Sequence, residues 1–105
     1  QLKNMGVKSM TEKKTVEKHK DFESKFGNKY KFQRVGAAHW LDIMDDAEDE
    51  NTGRPKRSKL YPVILEHIVV SPTMTLEDFD KEGYGGTGEL EEVVSAATRF
   101  QQGKQ

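Results

Sequence analysis

Residues 36–79, GAAHWLDIMDDAEDENTGRPKRSKLYPVILEHIVVSPTMTLEDF, decide the fold of this chain. The stretch holds the single tryptophan, Trp40, the densest aliphatic run, and an acidic cluster followed at once by a basic one. The spacing of apolar residues is the main sequence signal for secondary structure, and it changes several times within this stretch. The elements predicted from it therefore supply most of the expected core.

A first helix is predicted to begin at Ala37, directly after Gly36. Apolar residues then recur at the spacing of one helical face, and aspartates occupy the opposite face. Acidic residues at the C-terminal end of a helix oppose its dipole, so the helix is expected to fray near residues 48–51. The apolar face comprises Ala37, Trp40, Leu41, Met44 and Ala47.

A second helix is predicted from Lys59 to about Val69, with Ser58 as its N-cap. Pro62 would then lie in the first turn, where a missing amide hydrogen costs little. Residues 63–70, VILEHIVV, are rich in β-branched side chains, so a strand remains an open alternative for this run. The Ser71-Pro72 pair should end the element. Its apolar stripe comprises Leu60, Ile64, Leu65 and Ile68.

A β-hairpin is predicted over residues 21–35, DFESKFGNKYKFQRV, around Gly27-Asn28. A two-residue loop would split the aromatic residues between the two faces, whereas a three-residue loop pairs Phe26 with Tyr30. Burial of one face favours the three-residue loop. An isolated hairpin is marginal in water, so the following helices should cover its aromatic face. That face would comprise Phe22, Phe26, Tyr30 and Phe32.

The C-terminal third contains two further predicted helices. Thr75 and Asp78 resemble a capping box, which predicts a short helix from Leu76 to about residue 81. Glycines at 83–88 predict a flexible joint. The last helix, from about Glu89 to residue 101, has the most regular apolar spacing in the chain. Its apolar residues are Leu90, Val93, Val94, Ala97 and Phe100.

Length and composition predict one small domain. The chain has 105 residues, 33% hydrophobic and 33% charged, so a small core with a disordered segment is expected. Residues 1–20 form a predicted disordered lysine-rich arm, of which 1–9 are interpreted as non-native because Met10 follows them. Residues 21–102 form the domain and 103–105 a frayed tail. The predicted fold is α+β, mainly α, with an N-terminal β-hairpin packed on a small bundle of three to four helices.

No motif in the sequence predicts catalysis, a metal or a cofactor. The glycine run lacks the Lys-Ser/Thr of a phosphate-binding loop, and the acidic run 45–50 fails the calcium-loop pattern. His19, His39 and His67 do not pair at helical spacing, and the chain has no cysteine. The basic run 54–59 is interpreted as charge balance for the acidic run. No apolar run approaches the roughly 18 residues of a membrane span.

The order of these features resembles a known family. KYKFQRVG at 29–36, LYPVILEHIVVSP at 60–72 and TLEDFD at 75–80 precede a glycine linker and a helix ending in an aromatic. This succession is similar to the small tail assembly chaperones of long-tailed bacteriophages of Gram-positive hosts and related prophages. The resemblance extends over roughly residues 21–102, and its most specific part is 69–72 together with 75–80.

The resemblance implies a non-enzymatic role in viral morphogenesis. Such proteins coat the tape measure protein, keep its long hydrophobic helices in solution and help recruit tail tube subunits. They act in the cytoplasm of the bacterial host and are absent from the mature virion. The family carries no catalytic residues, so none are transferred to this chain.

Two sets of apolar side chains are the candidate partner-binding residues. A groove lined by the first set is the hypothesis for a chaperone of amphipathic helices, and plain core packing is the alternative. The second set would cover that core or form a homo-oligomer contact. A structural tail or head-tail connector protein, and a small nucleic-acid-binding regulator using residues 54–59, stay open, although a net charge of -1 does not favour nucleic acid. The sets are Trp40, Leu41, Met44, Ile64 and Ile68, and then Val93, Val94 and Phe100.

Overall fold

A computed structural model describes residues 18–103, which form a small α+β fold. Its three strands make an antiparallel sheet in the order β1-β2-β3, so β2 is the central strand. The predicted hairpin and helices are present, and the third strand is an addition to them. The elements are β1 (His19–Glu23), β2 (Lys29–Gln33), α1 (Ala37–Asp46), α2 (Arg57–His67), β3 (Val69–Ser71), a 3-10 helix (Leu76–Asp80) and α3 (Gly86–Gln101).

The register of the hairpin differs from the prediction. Phe22 lies opposite Tyr30, which leaves a five-residue loop at 24–28 in place of the predicted three-residue loop. Phe26 therefore does not share the aromatic face, and its side chain in the loop is 54% exposed. Phe22, Tyr30 and Phe32 do share that face, as their alternation requires.

The observed register places residues of opposite charge directly across from each other. Asp21 lies opposite Lys31 and Glu23 lies opposite Lys29, all on the solvent face of the sheet. Opposite charges at directly facing positions stabilise an antiparallel pair, and either predicted loop would have moved these residues out of alignment. The aromatic pattern alone did not contain this information.

The aromatic face of the sheet is covered by α3 and the 3-10 helix. The Phe32 and Phe100 ring centroids are 6.5 Å apart, and those of Tyr30 and Phe79 are 6.4 Å apart. Both separations are typical of packed aromatic pairs. The prediction that helices cover this face is confirmed. The buried cluster contains Tyr30, Phe32, Ile64, Leu65, Ile68, Val69, Met74, Phe79, Val93, Val94, Ala97 and Phe100.

The run 63–70 contains a helix end and a strand. α2 ends at His67, and β3 then pairs with β2, with Val69 opposite Phe32. The Gln33 N–H also donates to the Ile68 carbonyl at 2.7 Å, so pairing with the sheet takes over where the helix stops. The predicted helix therefore ends two residues earlier than expected.

The start of α2 also differs from the prediction. The helix begins at Arg57 after Lys56, and no side chain caps it, so Ser58 is not the N-cap. Pro62 consequently lies inside the helix. A proline there lacks the amide hydrogen that would bond one turn back.

The loop between α1 and α2 is closed by backbone contacts. α1 ends at Asp46, slightly before the predicted end. The Asp49 N–H donates to the Arg54 carbonyl, and the Lys56 N–H donates to the Ala47 carbonyl, both at 2.7 Å. The basic run 54–59 is exposed, and its Arg57 lies 3.8 Å from Glu91 of α3, so this ion pair does not match the predicted balance with residues 45–50.

The predicted capping box is confirmed, and it begins the 3-10 helix. The Thr75 N–H donates to Asp78 Oδ2 at 2.8 Å. α3 begins at Gly86, three residues before the predicted start, so residues 86–88 are helical and do not belong to a flexible joint. Its last residue is Gln101, as predicted, and this residue is buried.

The predicted disordered arm overlaps the described residues at its end only. β1 begins at His19, so residues 19–20 belong to the sheet, and residues 1–17 lie outside the described part of the chain. Residues 104–105 of the predicted tail also lie outside it. Within residues 18–103, no helix combines the length and the apolar composition that a membrane span requires.

Candidate functional site

Most of the predicted partner-binding residues lie in the core. Their side chains are at most 4% exposed, so they offer a partner almost no surface in this conformation. Packing explains the helical spacing that singled them out. That they contact a partner stays a prediction. These core residues are Ile64, Ile68, Val93, Val94 and Phe100.

The other three predicted residues lie on α1, at the periphery. Trp40 is partly buried and packs against the core cluster, and Met44 is partly buried. Leu41 points to solvent and is 61% exposed. Because Ile64 and Ile68 are fully buried, the structure does not bring these five side chains together as one open groove.

An apolar cleft lies instead beside β3, and we call it the β3 groove. Its volume is about 530 Å³, within the range of ligand and peptide sites in proteins. α2 contributes one wall through Pro62 and Glu66, which are one helical turn apart. β3 and the segment that follows it contribute the rest. The lining is Pro62, Glu66, Val69, Val70, Thr73, Met74, Thr75, Leu76 and Glu77.

The β3 groove has an apolar interior and an acidic rim. Met74 and Val69 are buried at its base, and Val70 is 39% exposed at its mouth. Glu66 and Glu77 are both exposed, and among residues 18–103 no lysine, arginine or histidine contributes to the lining. Such a cleft suits an apolar side chain that has a cationic neighbour.

Sequence reasoning missed this groove because it depends on β3. The predicted helix ran to about Val69, and a strand over residues 63–70 was only an open alternative. A usable signal was present in the Ser71-Pro72 pair. A proline that follows a β-branched run so closely favours extended backbone just before it.

A second cluster joins the hairpin loop to the start of α3 through the buried carboxylate of Glu89. The side chain is fully buried and accepts hydrogen bonds from the Tyr30 hydroxyl at 2.7 Å and the Gly85 N–H at 2.7 Å. Ser24 Oγ donates to it at 2.8 Å and Asn28 Nδ2 at 2.9 Å. A carboxylate with this many donors is satisfied without water.

The same hydrogen bonds keep Glu89 ionised. Burial alone would raise its pKa, but the hydrogen bonds from Tyr30, Asn28, Gly85 and Ser24 together lower it below the ordinary value of 4.5. Burial and the neighbouring Glu89 carboxylate raise the pKa of the Tyr30 hydroxyl well above its usual range. Because Glu89 has no exposed surface, the cluster holds the loop against α3 and offers no access to a substrate.

Helical spacing could have revealed Glu89. Residues 89, 93, 97 and 100 follow one another at intervals of four, four and three, so Glu89 belongs to the buried face of α3. From the sequence, Glu89 was placed only at the approximate start of the last helix. A glutamate in line with Val93 and Ala97 predicts a buried, partnered carboxylate.

The fold brings together two histidines that are distant in sequence. The His39 and His67 ring centroids are 5.1 Å apart, with the rings at 61°, where α1 crosses α2. Asp42 and Asp46 line the same small cleft. Among residues 18–103, however, no group of three or more histidine, aspartate and glutamate side chains is placed to hold a metal ion.

The β3 groove therefore has the chemistry of a protein-binding surface, with apolar residues at the centre and charged ones at the rim. The Glu89 cluster, in contrast, joins the hairpin loop to the start of α3. Comparison of the chain with protein-family models, with curated proteins and with solved structures gives no significant match.

Proposed function

We propose that this protein is a tail assembly chaperone of a long-tailed bacteriophage or prophage. In this role it binds the tape measure protein, helps recruit tail tube subunits, and acts in the cytoplasm of the bacterial host without entering the virion. The proposal is supported by the resemblance of residues 21–102 to that family and by the β3 groove.

One observation carries the proposal: the most specific motif of the resemblance lines the groove. Residues 69–72 and 75–80 are the sequence markers of the family. Val69, Val70, Thr75, Leu76 and Glu77 from those segments contribute to the groove lining. The sequence similarity and the candidate binding surface therefore coincide in the same dozen residues.

The chemistry of the groove fits a chaperone for helices. A long amphipathic helix that has not yet been incorporated exposes an apolar stripe, which promotes aggregation. Covering part of that stripe with Val70, Leu76 and Met74 would remove it from water. Charged residues make up one third of the sequence and would keep the complex in solution.

Co-expression with the tape measure protein encoded by the neighbouring gene tests the proposal. The soluble fraction of the tape measure protein should rise several-fold when this chain is present, and the two should co-purify. An equally insoluble tape measure protein with and without this chain would remove the proposal.

Mass spectrometry of purified particles separates the chaperone from a structural tail or connector protein. A chaperone is absent from the particles, whereas a connector is recovered at a fixed ratio to the tail tube protein. Retention on DNA at low salt, lost as salt rises, would instead indicate a nucleic-acid-binding regulator that uses the basic run 54–59.

A further inference from the structure

We infer that the β3 groove binds an amphipathic helical segment whose apolar stripe is flanked by lysine or arginine. The groove supplies the apolar contact, and Glu66 and Glu77 supply the charge contact. The inference rests on the proposed function only for the name of the partner, the tape measure protein. The groove and its preference for basic helices can be tested without that partner.

The apolar lining sets the first requirement on the partner. Val70 and Leu76 retain solvent exposure at the mouth, whereas Met74 and Val69 close the base. A volume of about 530 Å³ exceeds that of a single aliphatic side chain, so two or three side chains from successive turns can enter. Methionine at the base can change rotamer to fit different side chains, which suits a partner of variable sequence.

The charged residues at the rim of the β3 groove set the second requirement on the partner. Glu66 lies on the α2 wall and has one neighbouring histidine, His67, whose Nε2 is 3.9 Å from the carboxylate. Glu77 lies in the 3-10 helix, and among the described residues no hydrogen bond or ion pair reaches its carboxylate. Two carboxylates from two different elements, with no cation among the described residues of the lining, complement a helix that carries basic residues beside its apolar stripe.

The short length of β3 favours a helix over an added strand. β3 spans three residues, Val69–Ser71, and Pro72 follows directly without an amide hydrogen to donate. A strand added at this edge would gain few backbone hydrogen bonds, whereas strand addition depends on them for affinity. The cleft between α2 and the 3-10 helix offers side-chain contacts, which is how helices bind in grooves.

The test uses three synthetic 18-residue peptides and the full-length protein. One peptide is an amphipathic helix of leucine and lysine, the second replaces each lysine with glutamate, and the third scrambles the first so that its apolar stripe is lost. Fluorescence anisotropy at low salt should show the leucine–lysine helix binding about tenfold more tightly than the leucine–glutamate helix. The scrambled peptide should bind at least as weakly as the glutamate helix.

Charge reversal locates the site. The double variant Glu66→Lys, Glu77→Lys should invert the preference, so that the leucine–glutamate helix becomes the tighter ligand. The matched control is Asp45→Lys, Glu50→Lys, which changes the net charge equally but lies outside the groove. The control should keep the preference for the lysine peptide. Equal effects of both double variants would overturn the inference, because only overall charge would then matter.

A second pair of variants tests the apolar contact. Val70→Asp should weaken binding of the leucine–lysine helix about tenfold, and Ala38→Asp, at an exposed alanine outside the groove, should leave it unchanged. Circular dichroism spectra matching those of the wild type show that both variants are folded. Unchanged binding by a folded Val70→Asp protein would overturn the inference.

Two further outcomes would assign the groove to another occupant and overturn the inference. A Val70-dependent dimer in light scattering would assign it to a second copy of this chain. Tighter peptide binding by full-length Lys13→Glu, Lys14→Glu would assign it to the chain's own N-terminal residues. If basic helices bind as inferred but the tape measure protein stays insoluble, the groove stands and the proposed function fails.

Discussion

The two ends of this small fold are held together in different ways. At one end, the hairpin loop meets the start of α3 through Glu89, a fully buried carboxylate surrounded by donors from three separate segments. At the other end, α1 contacts the core through Trp40 and buries Ile43, while its Leu41 is 61% exposed.

The contrast between the two ends shows where a chain with few hydrophobic residues gains its stability. Because only 33% of its residues are hydrophobic, the chain has few apolar side chains for a second core layer. A polar cluster with complete hydrogen bonding fixes its hairpin instead. Within the described part of the chain, no such polar cluster joins α1 to the rest of the fold. Substitutions at the Glu89 end should therefore lower the stability of the fold strongly, whereas α1 should tolerate substitution.

Replacing Glu89 with alanine should have the largest effect on stability. The substitution leaves the hydroxyls of the buried residues Tyr30 and Ser24, and the partly buried Gly85 N–H, without this acceptor. Removing one partner of such a cluster costs about 3 to 5 kcal/mol. Urea unfolding followed by circular dichroism measures the loss. The control is Glu82→Ala, at an exposed glutamate just before α3, which should change the free energy of unfolding by less than about 0.5 kcal/mol.

Lowering the pH should selectively weaken the stability that the Glu89 end contributes. The folded-state pKa of Glu89 lies below its ordinary value, so the folded protein binds fewer protons than the unfolded chain in that pH range. The ionised group contributes its stability above the unfolded pKa, and this contribution is lost as pH falls below about 5. The difference in unfolding free energy between wild type and Glu89→Gln should thus shrink from pH 7 to pH 3. A constant difference would show that Glu89 is not held ionised.

Contact between Phe26 and Gly85 should produce a coupling of about 1 kcal/mol at the Glu89 end. A Cβ at residue 85 would lie 2.5 Å from the Phe26 ring, so Gly85→Ala must displace that ring. In a Phe26→Ala background the same substitution should become neutral or stabilising, because alanine restricts the unfolded chain more than glycine does. The four proteins of this double-mutant cycle are compared by urea unfolding, and additive effects would contradict the contact.

Helices were predictable because their signal is local. The starts of α1 and the 3-10 helix follow from the apolar spacing after Gly36 and from Thr75 with Asp78. The hairpin register was not predictable from the aromatic residues, because their pattern favoured a three-residue loop with Phe26 opposite Tyr30. The facing charges of Asp21 with Lys31 and Glu23 with Lys29 favour the observed register, and they were visible in the sequence.

The candidate site was less predictable than the fold. Apolar residues on a helical face were taken as a binding surface, but Ile64 and Ile68 proved to be core. The β3 groove arises within one segment of the chain, residues 62–77, where the end of α2, β3 and the start of the 3-10 helix meet. Local spacing cannot encode such a meeting, because it depends on β3 pairing with β2.

Substitution of Leu41 should have the smallest effect on stability. It is therefore the sharpest test of the prediction that α1 tolerates substitution. Its side chain is 61% exposed on α1, so Leu41→Ser removes little buried apolar area and should change the free energy of unfolding by less than about 0.5 kcal/mol. Ile43, two residues away and 5% exposed, provides the matched comparison. Ile43→Ala should cost about 2 kcal/mol or more, because it leaves a cavity between α1 and the rest of the fold. Equal losses at both positions in urea unfolding would mean that α1 is packed on both sides in solution, and the contrast between the two ends would not hold.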